Sequence, residues 1–137
     1  MEWLLKKTEF DGLPLHLRLP NYENIWQFKN EYPELICVTH VFESVMDNGL
    51  PIKEYNETLI DFDGEIIEIF QAENNGIIFL IETFGGARRY WFYGKKSKSF
   101  SNVFDSLKRK HSDKELELDI QNDNDWGFIK EYPVELY

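Results

Sequence analysis

The chain has 137 residues, enough for one domain that buries about two-thirds of the surface its unfolded form exposes. Fifteen basic residues against 25 acidic ones give a net charge of −10, while 42% of the residues are hydrophobic and 16% aromatic. This composition excludes disordered, collagen-like, mucin-like and disulfide-scaffold proteins, and it names no reaction.

Glu2–Phe10 and Leu13–Leu19 flank Asp11-Gly12, a hairpin-turn dipeptide. In the second run Leu13, Leu15, Leu17 and Leu19 alternate with Pro14, His16 and Arg18, the pattern of a half-buried strand that Pro20 ends. Asn24–Tyr32 reads as a short helix stopped by Pro33. Leu35–Phe42 is apolar on both faces, so it is expected in the middle of a sheet. Asp47-Asn48-Gly49 and Pro51 mark a loop.

Ile52–Glu73 carries the strongest helical signal. Tyr55, Leu59, Phe62, Ile66, Ile69 and Phe70 recur at steps of three and four. Gly64 lies inside it and costs about 1 kcal/mol relative to alanine. Asn74-Asn75-Gly76 ends it, and two β-rich runs follow, Ile77–Phe84 and Ala87–Tyr93, joined by Gly85-Gly86. Ser99–His111 reads as a helix with Phe100, Val103, Phe104 and Leu107 inward and Lys108, Arg109 and Lys110 in the last turn, where cations suit the dipole. Glu115–Gln121 alternates Leu116, Leu118 and Ile120 with charged residues, as an edge strand does. From Leu35 on, the order is strand, helix, strand, strand, helix, strand. This predicts an α+β fold, a ferredoxin-like βαββαβ sandwich with an additional N-terminal hairpin. The expected single domain, 1–137, then has a hairpin at 1–20, a core at 34–122 and a short helix and tail at 123–137.

One internal similarity appears. Trp26-Gln27-Phe28 and Glu31-Tyr32-Pro33 match Trp126-Gly127-Phe128 and Glu131-Tyr132-Pro133, one hundred positions on. Two copies make no solenoid. Both segments are expected to be short helices that press aromatic rings onto the domain.

The single cysteine, Cys37, cannot form an internal disulfide, which fits a reducing, cytoplasmic setting. Charged residues interrupt the first dozen positions, and no apolar stretch approaches the roughly 20 residues that span a bilayer, so neither a signal peptide nor a membrane partner is expected. Residues 85–111 hold eight basic groups against Asp105, leaving seven basic and 24 acidic groups elsewhere, a balance of −17. Mutual neutralisation on folding is the simplest reading, and most of the surface repels a phosphate backbone.

The sequence carries no recognisable catalytic or metal-binding motif. His16, His40 and His111 lack the spacing of metal ligands. Asp119 to Lys130 begins like a calcium loop, but Asn124 replaces its glycine and Lys130 its bidentate glutamate. No nucleophile elbow, phosphate loop or dinucleotide fingerprint occurs, and Cys37 sits in an apolar strand. No catalytic residue, metal or cofactor is expected.

Two surfaces stand out. Glu54, Glu57, Asp61, Glu65 and Glu68 lie at steps of three and four on the back of the long helix, either as a solvated face or as a docking stripe for a basic protein. Arg88, Arg89 and Trp91 belong to an aromatic strand that could stack single-stranded RNA, though its rings serve equally as core and the acidic remainder disfavours nucleic acid.

Thr83-Phe84-Gly85-Gly86-Ala87-Arg88, Phe92-Tyr93, Asp123-Asn124-Asp125-Trp126 and Tyr132-Pro133, with Trp3 and Gly49-Leu50-Pro51 in order before them, resemble the bacterial domain-of-unknown-function family six-nine-five. Members often carry proline where this chain has Asn124. That family is similar to, and sometimes fused with, the ribonuclease E regulator B domain. The resemblance implies an α+β sandwich that acts by protein contact, and it carries no catalytic residues. The expected function is therefore a non-catalytic, protein-binding regulatory domain, acting on a ribonuclease through the acidic helix face. The alternatives are an immunity protein that neutralises a basic nuclease toxin, and a small ligand-binding domain or hydrolase with an unrecognised site.

Overall fold

The computed structural model describes residues 2–69, 76–95 and 97–137. Strands β1 (Trp3–Phe10) and β2 (Leu13–Pro20) meet at Asp11-Gly12, whose φ values of 56° and 81° are the left-handed pair that a tight hairpin turn requires. Strands β3 (Glu34–Val41), β4 (Gly76–Phe84), β5 (Ala87–Gly94) and β6 (Glu115–Asn122) follow. Among the described residues the six strands form one antiparallel sheet in the order β1-β2-β4-β5-β3-β6. The apolar strand β3 is interior, the charged strand β6 is an edge, and the N-terminal hairpin extends the sheet beside β4.

The expected helix over 52–73 is not continuous. Helix α1 (Lys53–Glu57) ends, and α2 (Ile60–Glu68) begins after a turn at Thr58-Leu59; the part of the expected helix beyond Ile69, Phe70 included, lies outside the described residues. The break comes at Thr58, not Gly64. The Thr58 hydroxyl donates to the Tyr55 carbonyl at 2.6 Å, and the Thr58 and Leu59 amides bond three residues back. Such local bonds compete with the helical ladder and tighten the turn. The apolar spacing runs through the break undisturbed, so periodicity could not reveal it. Helix α3 (Ser97–Lys110) keeps its basic last turn, and α4 (Gly127–Glu131) follows β6.

Both sheet faces are covered. On one, Phe62 and Ile66 of α2 and Phe100, Phe104 and Leu107 of α3 pack on Ile36, Val38, Tyr90 and Phe92. On the other, Leu15, Leu17, Leu19, Phe79, Leu80 and Tyr93 meet Ile25 of a 3₁₀ turn (Ile25–Phe28), Trp126, Ile129 and Leu136. A bulge between Ile78 and Leu80 puts Phe79 and Leu80 in the same cluster. The two matching segments meet here: Trp126 is fully buried, stacks on Tyr93 at 4.2 Å, lies 5.8 Å from the Trp26 ring and donates its Nε1–H to the Tyr32 carbonyl. They are paired aromatic covers on one face of the sheet. Among the described residues no helix is long and apolar enough to cross a membrane.

Candidate functional site

The sheet register builds a polar row on the face that α2 covers. Lys7 of β1 pairs with His16 of β2, His16 with Thr83 of β4, Thr83 with Arg88 of β5, and Arg88 with His40 of β3. The neighbouring row is Leu5, Arg18, Ile81 and Tyr90. Because period-2 alternation sends these side chains one way, residues from four or five strands converge on one area.

Helix α2 supplies the partner. Asp63 is buried and receives two hydrogen bonds from Arg18, at 2.5 and 2.9 Å, and one from the Tyr90 hydroxyl at 2.7 Å. Arg88, only 9% exposed, donates Nε–H to the Thr83 hydroxyl and Nη2–H to Asn56 Oδ1, both at 2.9 Å, and its Nη1 lies 4.0 Å from Asp63. Burial pulls the Arg18 guanidinium down, but the hydrogen bond and charge of Asp63 outweigh it and leave the pKa raised. Burial, then the Asp63 charge, push the Tyr90 phenol up, so it stays a donor.

Beside this network lies a cleft of about 560 Å³ between the N-terminal hairpin and helices α1 and α2. Among the described residues Lys7, Arg18, Lys53 and Arg88 line it against one carboxylate, Asp63, an excess of three positive charges in a chain of net −10. Lys6 lines it as well, a fifth cation beyond that excess of three, with its Nζ bonded to the neutral Glu135 carbonyl at 2.7 Å. His16, whose pKa burial and then Lys7 lower, adds a neutral ring at pH 7. Met46, Leu50 and Pro51 form one wall, from a loop docked on the β4–β5 turn by the Gly86 amide donating to the Gly49 carbonyl at 2.9 Å. Gly49 has φ +88°, and a Cβ there would lie 3.0 Å from Gly85 Cα, so only glycine permits this docking. Gly49-Leu50-Pro51 and the segment Thr83–Arg88, distant in sequence, thus meet at the cleft.

The five acidic residues do not form one stripe. Glu54 and Glu57 lie on α1, Asp61, Glu65 and Glu68 on α2, with the break between. Four of them are exposed, whereas Glu65 is half-buried, 2.9 Å from Lys110 Nζ and 2.8 Å from His111 Nε2 of the α3 end. Burial raises the Glu65 pKa, but Lys110 and His111 outweigh this and leave it lowered. None of the five lines the cleft.

The aromatic strand offers no open stacking surface. Strand β5 is interior, Arg88 lies on one face in the Asp63 network, and Arg89 lies on the other, 3.5 Å from Glu82, which also accepts from the Tyr132 hydroxyl. Trp91 is covered by Phe128 at 4.1 Å. Arg88, Arg89, Lys95 and Lys110 meet the acids Asp63, Glu82, Glu31 and Glu65, so four of the eight cations of the basic segment pair with the acidic remainder across the fold; Lys96 and the Lys98 side chain lie outside the described residues.

Other reactive groups have structural places. Burial raises the Cys37 thiol to about 12. Asp123, at the false calcium loop, accepts from the Gly127 and Phe128 amides and the Tyr93 hydroxyl, which caps α4. Among the described residues no group of three His, Cys, Asp or Glu side chains is placed to hold a metal ion. Arg88 stands out in the sequence, whereas Lys7, His16, Arg18, Lys53 and Asp63 do not. The available signal was the alternation that put His16 and Arg18 on the face opposite the leucines; the missing one was that β2 lies beside β4.

Comparison with protein-family models matches residues 11–132 to a family described as a family of unknown function, DUF695. No curated protein and no solved structure matches the chain.

Proposed function

The chain belongs to that family, DUF695, and from this premise we propose that it is a binding domain whose working surface is the cleft beneath the N-terminal hairpin, where it holds an anionic ligand without transforming it. The observation that carries this is the surplus of cations in a concave site of ligand size, within a protein whose overall field is negative. Asp63, the carboxylate of the cleft, is tied by Arg18 and Tyr90 and is not free to act as a base. Binding of this kind is tested by thermal melts in inorganic pyrophosphate against sodium chloride of equal ionic strength. Specific stabilisation of the wild type, reduced by Lys7→Glu/Lys53→Glu, supports the reading. Equal melting temperatures in the two salts contradict it.

A second reading keeps protein contact as the function. Glu54, Glu57, Asp61 and Glu68 are exposed and make no ion pair among the described residues, which favours a basic partner, whether a ribonuclease under regulation or a nuclease toxin under neutralisation. A partner captured at low salt by the wild type and lost with Glu54→Lys/Asp61→Lys supports this reading; equal capture by the variant sinks it. The ferredoxin-like description of β3–β6 is supported by the order β4-β5-β3-β6 and by α2 and α3 sharing one face. The solitary, buried Cys37 supports a cytoplasmic setting.

A further inference from the structure

We propose that the ligand of the cleft is a small phosphate monoester that carries an apolar body. This rests on the reading of the cleft as an anion site and names the chemistry that site selects.

The charge count selects the head group. Lys7, Arg18, Lys53 and Arg88 against Asp63 leave an excess of three positive charges, which a single carboxylate offsets poorly. A phosphate monoester carries about −1.5 to −2 at pH 7 and presents three strong acceptor oxygens. Donors come from several directions: guanidinium groups on β2 and β5, ammonium groups on β1 and at the start of α1, and the neutral His16 ring on β2. Arg18 already shows the geometry on an internal anion, holding Asp63 through two parallel bonds. Lys7 and Lys53 make no ion pair among the described residues, so they face a ligand unspent.

The walls select the body. Leu5 and Ile60 are each 69% exposed and Met46 is 44% exposed, and all three line the same cleft with Leu50 and Pro51. Apolar side chains exposed around a concave cationic site mark the place where the ligand's own apolar surface goes. Inorganic phosphate would leave them wet, and a neutral apolar molecule would leave the cations unanswered. The volume of about 560 Å³ restricts the ligand to a small molecule.

The test is calorimetric titration of the full chain with 1-naphthyl phosphate, 1-naphthoate and inorganic phosphate, repeated on Lys7→Ala/Lys53→Ala, whose exposed positions leave the core untouched. The expected result is 1-naphthyl phosphate binding at least tenfold tighter than either other probe, and at least fivefold weaker binding of it by the variant. Naphthoate binding as tightly as naphthyl phosphate, with both weakened by the variant, overturns the phosphate assignment and leaves the anion cleft standing. Naphthyl phosphate binding that the variant does not change, or no binding of any probe at millimolar concentration, overturns the assignment and the cleft reading together.

Discussion

Replacing Asp63 by asparagine removes one charge from the centre of the network and keeps the shape. Asp63 answers Arg18 directly and lies 4.0 Å from Arg88, and it accepts the hydroxyl of Tyr90, which is fully buried. The asparagine oxygen still accepts from Tyr90, so the loss is that of the charge. Breaking a buried ion pair from one side costs about 3–5 kcal/mol. Arg18 is partly open to water and regains hydration, which lowers the expected loss for Asp63→Asn to about 2–3 kcal/mol. Asp63→Leu also orphans the Tyr90 hydroxyl, adding about 1–3 kcal/mol. The assay is urea unfolding at pH 7 with the slope checked for constancy. A second readout concerns the cleft itself. With Asp63 neutral the cations lack their internal counter-ion, so pyrophosphate should stabilise Asp63→Asn more than the wild type. A loss below about 0.5 kcal/mol for Asp63→Asn would refute the reasoning, because that is the range of an ordinary surface change.

Burial, then the charges of Lys114 and Arg88, lower the His40 pKa to about 4, so the folded protein binds fewer protons there than the unfolded chain below pH 6.5. Stability should therefore fall as pH drops from 6.5 towards 4, by about 3 kcal/mol from this residue, and His40→Phe should show a flatter profile in urea titrations across that window. Trp126→Ala removes a fully buried indole that stacks on Tyr93 and meets Trp26, and should cost about 3–5 kcal/mol by urea unfolding. Cys37, buried with its thiol raised to about 12, should resist a disulfide reagent at pH 8 in the native state and react promptly in denaturing urea. Fast native labelling would contradict its place in β3.

The strands were legible because their signals are local. The dipeptides Asp11-Gly12 and Gly85-Gly86 both adopt positive φ, as tight hairpins demand, and the alternation in Leu13–Leu19 names the buried face correctly. The α1–α2 break was hidden because the turn at Thr58-Leu59, where the Thr58 hydroxyl bonds the Tyr55 carbonyl, leaves the apolar spacing undisturbed. The bulge at Ile78/Leu80 was hidden because Ile77–Ile81 is apolar on both faces, so no polar residue beside it marks the slip. The acidic residues were legible as a spacing, but their one-face geometry depended on a continuous helix. The cleft was the least legible feature. Each of its cations sits in an unremarkable local context, and only the pairing of β2 with β4, some sixty residues apart, brings Arg18 and Arg88 to the same carboxylate.

Whether the cleft is where this protein meets an anion is tested most directly by amide chemical-shift mapping of the labelled chain as inorganic pyrophosphate is added at constant ionic strength. The account predicts saturable shifts at Lys7, His16, Thr83, Arg88 and Asn56, lost with Lys7→Glu/Lys53→Glu. Shifts confined to the basic end of α3, at Lys108 to Lys114, or unsaturable shifts spread over the surface, would contradict it.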